Sequence, residues 1–172
     1  RASITATCQA MPTAPPPLTG RAFRVAVGAM ISPERTYGVY GDLFRLLAER
    51  LGRPLELTQR RTYQEVNGLV MSGEVDAAWI CTGAWPELRT AGAARLLAVP
   101  VVKGLSTYQA LILAGPGRPA ARSLEELRGA KFAFTDPISL TGCRYPRDRL
   151  AAKRERAELF FGSTFFTHGH DR

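Results

Sequence analysis

The chain has 172 residues and a formal net charge of +8, with 45% hydrophobic, 9% aromatic and 22% charged residues. These values describe a globular protein with an apolar core, in one domain or two small ones, and no apolar run has the length of a membrane span. The arginines behind the charge are mostly scattered and are not interleaved with aromatic residues, so we predict no nucleic-acid partner and keep a basic nucleic-acid-binding module only as an alternative.

Residues 1–22 are predicted to be a flexible tether, because residues 10–20 are rich in proline and threonine. Cys8 within this tether leaves two interpretations open. It is either a lipid-attachment site, which would anchor the protein to a membrane, or a cysteine without that role. The residues before Cys8 lack a leucine-led lipobox, which favours the second interpretation.

Strand and helix patterns alternate from residue 23 onward. Residues 29–37 are expected to form a loop, and a leucine stripe beginning at Val39 predicts a helix that ends at Gly52. A capping box at Thr62 predicts a second helix that ends at Gly73. Apolar and β-branched runs predict strands at residues 23–28, 54–58 and 75–80.

Two further apolar runs, residues 96–102 and 108–113, predict a fourth and a fifth strand. Glycine and proline then punctuate residues 115–119, and we place a boundary between two units near residues 103–115. The alternating order predicts an α/β fold with a largely parallel sheet. Such sheets bind ligands beyond the carboxyl ends of their strands, which are the loops at residues 28–37, 81–85 and 138–143.

The second unit contains the most informative stretch, residues 135–146, between a predicted strand and a predicted helix. Backbone N–H groups point outward at a helix start, where the helix dipole favours negative charge. Ser139, Thr141 and Gly142 could therefore hold a small oxyanion, or Ser139 or Thr141 could simply cap the helix. The remaining predictions are a capping box at 123–126, a strand at 131–134, a helix at 147–161 and a strand at 164–167.

Several segments in this order resemble the substrate-binding proteins of phosphate, phosphite and phosphonate ABC transporters. They include residues 72–79 (SGEVDAAW), 132–142 (FAFTDPISLTG) and 160–171 (FFGSTFFTHGHD). The resemblance implies a type II periplasmic-binding-protein architecture, with two α/β lobes that close about a hinge. Residues 23–113 would form the first lobe with its hinge strand, and residues 114–172 an incomplete second lobe, as expected of a fragment or a truncated product.

The resemblance also implies a ligand site. The hydroxyls of Ser139 and Thr141 and the amides from Leu140 to Gly142 would contact the oxyanion. Cys81 and Thr82 would face them from the first lobe, and His170 would join from the chain's end. Tyr37 and Tyr108 are candidate cleft hydroxyls, for which a place in the core or on the surface is the alternative.

The resemblance implies a periplasmic solute-binding protein that captures a small oxyanion and serves a membrane permease or a sensor kinase. The first alternative is an arsenite or metalloid sensor that uses Cys81, since soft ligands favour soft centres. A third interpretation pairs Cys81 with Cys143 in a disulfide between the lobes. We expect no enzyme, because the sequence has no nucleophile–base motif, and no cofactor or metal, since the His168–His170 pair is weak evidence.

Overall fold

The computed structural model describes residues 19–28, 30, 33–116 and 121–170. Most of the predicted tether, with Cys8, lies outside the described residues. A wide π-type turn spans Leu140–Arg144, and a short 3₁₀ turn spans Glu125–Leu127. The strands and helices are, in chain order, β1 Phe23–Val27, α1 Pro33–Arg50, β2 Leu55–Gln59, α2 Tyr63–Met71, β3 Ala77–Trp79, α3 Trp85–Thr90, β4 Lys131–Phe134, α4 Tyr145–Ala151, α5 Ala157–Phe160 and β5 Ser163–Phe166.

The first sheet has the order β2-β1-β3, and both pairings are parallel. The central strand β1 is buried on both faces because its side chains alternate between two helices. Val25 and Val27 pack with Phe44 of α1, whereas Ala26 packs with Val66 of α2. The predicted parallel α/β layer is thus confirmed for this part of the chain.

The second sheet pairs β4 with β5, again in parallel. The connection between them contains α4 and α5, as expected for a parallel crossover. Its core is largely aromatic: Phe134 and Phe160 are fully buried, and the rings of Phe132 and Phe161 stack with centroids 4.1 Å apart. We use "first lobe" for residues 23–113 and "second lobe" for residues 114–172, and that division stays a prediction.

Three local predictions were wrong. The loop predicted for residues 29–37 ends early, because α1 begins at Pro33, whose fixed φ suits the first position of a helix. The single helix predicted over 147–161 is instead α4 and α5, separated where Arg154 adopts a φ of 59°. The capping box predicted at 123–126 does not start an α-helix, and only a 3₁₀ turn forms there. The backbone N–H that donates to the Glu126 carboxylate belongs to Arg122, whereas a capping box at Ser123 would use the Ser123 N–H. By contrast, both reciprocal bonds of the box at Thr62 are present.

The prediction of a fourth and a fifth strand, at residues 96–102 and 108–113, was also wrong. These residues have only an isolated bridge between Val102 and Leu105, and Leu97 and Leu113 are 75% and 87% exposed. A strand needs a hydrogen-bonded neighbour, and the described residues place none beside this segment.

An apolar groove of about 530 Å³ separates residues 93–100 from β3, which is itself shorter than predicted. No helix in the described ranges is long and apolar enough to cross a membrane.

Candidate anion-binding site

The turn that follows β4 is built by its own side chains. The carboxylate of Asp136 accepts the Ile138 N–H at 3.0 Å, and the Asp136 carbonyl accepts the Ser139 N–H at 3.0 Å. The Ser139 hydroxyl then accepts the Gly142 N–H at 3.2 Å and so caps the wide turn at Leu140–Arg144. Ser139 is only 2% exposed, so its side chain is occupied in shaping the turn.

Gly142 is held against Thr135 at the end of β4. The Thr135 N–H donates to the Gly142 carbonyl at 3.2 Å, and a Cβ at position 142 would lie 1.9 Å from Thr135 Oγ1. Only glycine allows this close approach. Thr135 Oγ1 is buried and has no hydrogen-bond partner among the described residues. The turn therefore combines a fixed backbone with an unused hydroxyl beside it.

Leu140 and Thr141 are the first two residues of this turn. Backbone N–H groups at the start of a helical segment lack acceptors within the segment. Thr141 also lines an open cavity of about 470 Å³ together with Leu140 and Tyr145. The opposite lining of that cavity comes from Tyr108 and the two residues after it. Donors of the second lobe and the phenol of Tyr108, in the first lobe, thus line one cavity.

The loop after β3 lies directly against the turn. The Cys81 thiol is 4.0 Å from the Ile138 carbonyl oxygen, and a Cβ at Gly83 would stand 1.9 Å from the same oxygen. The Thr82 hydroxyl lies 2.9 Å from the Tyr108 hydroxyl, which belongs to the cavity lining. The two strand-end loops that were expected to face each other are therefore in contact.

The two described cysteines are free thiols, so the disulfide considered between Cys81 and Cys143 is not formed. Burial raises the pKa of Cys81 from its ordinary value of 9.0 to about 11. Burial also raises the pKa of Cys143, against the opposing effect of the nearby Arg147. Both side chains are accordingly neutral thiols near pH 7 rather than thiolates.

Two other predicted site residues contact parts of the first lobe. The Tyr37 hydroxyl donates to the Leu57 carbonyl at 3.2 Å, so this side chain binds the edge strand β2 and not the turn. His170 is exposed, and its backbone N–H donates to the Met30 carbonyl at 2.9 Å, which ties the end of the second lobe to the loop after β1. No group of three or more metal-ligating side chains occurs in the part of the chain that the structure describes.

The sequence analysis missed the importance of Asp136. It treated this residue as a lone carboxylate in a turn, whereas the residue is 3% exposed and its side chain bonds to both lobes. The available signal was its position directly after a buried strand, at the carboxyl end of the second sheet. The partner of that carboxylate, 73 residues away, is not visible in any local pattern.

Two parallel α/β units with facing strand-end loops define the class of type II periplasmic binding proteins. A solved structure with this fold is the binding protein component of an ABC phosphonate transporter from Pseudomonas aeruginosa. The two share a TM-score of 0.71 at 14% sequence identity, over 88% of this chain and 51% of that chain. The predicted fold class is confirmed.

The family model described as "ABC transporter, phosphonate, periplasmic substrate-binding protein" matches residues 25–172. The chain belongs to this family, whose members are binding components of transporters and not a class of enzyme. A curated relative, the phosphate-import protein PhnD of Mycolicibacterium smegmatis, is 27% identical over 141 residues, which is 77% of this chain and 44% of the relative. The chain thus spans about half the length of the relatives it matches.

Proposed function

We propose that this chain belongs to a solute-binding protein that captures a small phosphate-like or phosphonate-like oxyanion for an ABC importer. The observation that carries the proposal is the Ser139-capped turn, which shares a cavity with Tyr108 and touches the loop at Cys81–Gly83. Family membership supports it independently. The named relative imports phosphate, and the named structural neighbour serves a phosphonate transporter, which favours this ligand class.

The chemistry of the turn suits a tetrahedral anion. The N–H groups of Leu140 and Thr141 and the Thr141 hydroxyl are donors at the positive end of a helical segment. Each hydrogen bond to a charged group is worth about 1.5–3 kcal/mol. A few such bonds suffice for binding of about micromolar affinity.

Capture would proceed by closure of the two lobes around the ligand, with the ligand shifting the population toward the closed state. The closed state would be the form that a membrane permease recognises, which places the protein in the periplasm. A sensor kinase in place of the permease is the alternative partner. Lipid anchoring through Cys8 stays a prediction for a residue outside the described ranges.

The metalloid alternative loses support because Cys81 is a neutral, largely desolvated thiol. A thiol must lose its proton to ligate a soft centre, and that loss is disfavoured here. The nucleic-acid alternative rests on the net charge of +8 alone. The metalloid alternative remains a measurable outcome of the experiment below.

Isothermal titration of the purified chain with phosphate, phosphite, methylphosphonate, sulfate and arsenite tests the proposal. We expect binding of a phosphorus oxyanion, weakened about tenfold or more in Thr141→Val, which removes the hydroxyl at nearly constant shape. Thr90→Val, an exposed threonine at the end of α3, is the matched control and should bind normally. Absence of binding to every oxyanion refutes the proposal. Binding of arsenite alone, abolished by Cys81→Ala, would establish the metalloid alternative instead.

A further inference from the structure

Asp136 forms a hydrogen-bonded link between the two lobes. It follows β4 of the second lobe, yet its Oδ2 atom accepts the backbone N–H of Tyr63 at 3.2 Å. Tyr63 is the first residue of α2, in the first lobe. The other carboxylate oxygen, Oδ1, accepts the Ile138 N–H at 3.0 Å within the anion-binding turn. One buried carboxylate therefore bonds both to the start of α2 and to the turn after β4.

The start of α2 leaves the Tyr63 N–H available to this carboxylate. The capping box uses the Glu65 N–H, which donates to the Thr62 hydroxyl, and the Thr62 N–H, which donates to the Glu65 carboxylate. The Tyr63 N–H has no intrahelical acceptor, and Asp136 supplies one from the opposite lobe. The dipole of α2 also favours a negative charge at this end.

A buried carboxylate is tolerated only where hydrogen bonds replace its hydration. Asp136 obtains one of its bonds from its own lobe and the other from the first lobe, so the second exists only while the lobes are in contact. The His168 side chain also approaches this carboxylate, with its Nδ1 atom 3.9 Å from Oδ2, beyond hydrogen-bond distance. The Tyr63 bond is thus one hydrogen bond that depends on contact between the lobes.

We propose that Asp136 is a positioning residue of the anion-binding site, which couples lobe closure to the geometry of the turn at 138–142. The inference rests on the proposed function. Ile138, held by Oδ1, is also the residue whose carbonyl contacts Cys81 and Gly83. Closure therefore fixes the same segment from two sides, through Asp136 and through the loop after β3.

Hydrogen exchange of single amides, followed by NMR without ligand, tests the link itself. The first amide of a helix normally exchanges fast, so slow exchange at Tyr63 reports its bond to Asp136. In Asp136→Asn we expect fast exchange at Tyr63 but retained protection at Ile138, because the amide keeps one oxygen. Asp136→Ala should lose both. Asp148→Asn, an exposed aspartate in α4, is the matched control and should change neither.

Titration with inorganic phosphate tests the coupling to binding. We expect Asp136→Asn to weaken phosphate binding about tenfold or more, mainly through faster dissociation, while Asp148→Asn binds normally. A second pair avoids any folding defect of a variant at Asp136. Tyr63→Pro removes the N–H at a position that tolerates proline, and Tyr63→Ala removes the same ring but keeps the N–H.

Weaker phosphate binding by Tyr63→Pro than by Tyr63→Ala supports the inference, and equal affinities overturn it. Unchanged exchange at Tyr63 in Asp136→Asn overturns it as well, whether or not phosphate binds. Failure of the wild-type chain to bind any oxyanion would instead refute the proposed function, and with it the role of Asp136 in binding. Fast exchange at Tyr63 in Asp136→Asn would then show that the link between the lobes exists for another purpose.

Discussion

Gly83 and Ile138 touch so closely across the two lobes that a Cβ at position 83 would stand 1.9 Å from the Ile138 carbonyl oxygen. The same Cβ would lie 2.6 Å from the Leu140 nitrogen. Both obstructing atoms belong to the backbone, which cannot rotate aside as a side-chain tip can. The observed contact between the loops therefore requires glycine at this position.

Gly83→Ala is accordingly expected to hold the lobes apart. Phosphate binding should weaken by about tenfold or more, because part of the binding energy is spent on a closure that the methyl group opposes. Titration measures the affinity, and small-angle X-ray scattering measures the expansion of the closed state. Gly38→Ala in α1, where a Cβ would meet nothing within 4 Å, is the control. Normal binding by Gly83→Ala would show that closure does not use this contact.

The Cys81 thiol should resist alkylation. Its pKa is raised to about 11 by burial, so at pH 8 the thiolate fraction is about two orders of magnitude below that of an ordinary cysteine. Iodoacetamide labelling followed by site-resolved mass spectrometry measures the rate, with the urea-unfolded chain as reference. Equal rates in the folded and the unfolded chain would contradict the prediction.

The Cys81 thiol also makes the free energy of unfolding depend on pH in the alkaline range. The folded chain binds the thiol proton more tightly than the unfolded chain, so the contribution of Cys81 is fully present below pH 9.0. It is lost as the pH rises toward about 11. Urea unfolding at pH 8 and pH 10.5 should show a larger fall in unfolding free energy for the wild type than for Cys81→Ala.

Asp76 joins the start of β3 to β1. Its carboxylate accepts the Arg24 backbone N–H at 3.0 Å and a bond from the Arg53 guanidinium at 2.8 Å, and these bonds hold its pKa below the usual value. Asp76→Asn should lower the unfolding free energy by about 1 kcal/mol at pH 7, since the site is partly exposed.

This stabilisation is present above the unfolded pKa and disappears as the pH falls through the lowered folded pKa. The difference between wild type and Asp76→Asn should therefore shrink below about pH 4. Asp42→Asn, in which an 85% exposed side chain loses its pair with Arg45, should stay near zero throughout. Urea unfolding across this pH range measures both variants, and a constant difference for Asp76→Asn would contradict the argument.

The segment at residues 96–113 presents exposed apolar side chains beside the edge strand β3, and among the described residues its strand-like pairing is limited to the bridge between Val102 and Leu105. Exposed apolar segments with little strand pairing associate readily with other chains. We therefore expect concentration-dependent self-association that Leu97→Lys with Val101→Lys reduces. Sedimentation velocity measures it, and Leu159→Lys, on an exposed helical residue, should have little effect. A chain that stays monomeric at high concentration would refute this expectation.

Features that depend on neighbouring residues were accessible from the sequence. The reciprocal bonds at Thr62 and Glu65 follow from a spacing of three, and the cap at Ser139 follows from a hydroxyl placed before a helical turn. The parallel order follows from alternating patterns, since β1 carries apolar residues for two helices. In each case the local pattern and the tertiary contacts require the same residue types.

Other features depended on distant partners. Residues 96–102 have the composition of a strand, but composition does not supply the neighbour that a strand needs. Tyr37 has a hydroxyl that could enter a cleft, yet the helix that begins at Pro33 directs it to the Leu57 carbonyl. Asp136 acts through a donor 73 residues away. These relationships are fixed by the packing of whole elements and leave no periodic signal.

The parallel pairing of β4 with β5 has a kinetic consequence. The chain must span the turn at Leu140–Arg144, α4 and α5 before the two strands can meet, so the entropy of closing that crossover is lost before their hydrogen bonds form. Individual helices form in about a microsecond, well ahead of such non-local pairing. We therefore expect the turn around Ser139 to be set in place late in folding, together with the aromatic core of the second lobe. A chain emerging from synthesis would then acquire the proposed anion donors only when this aromatic core condenses.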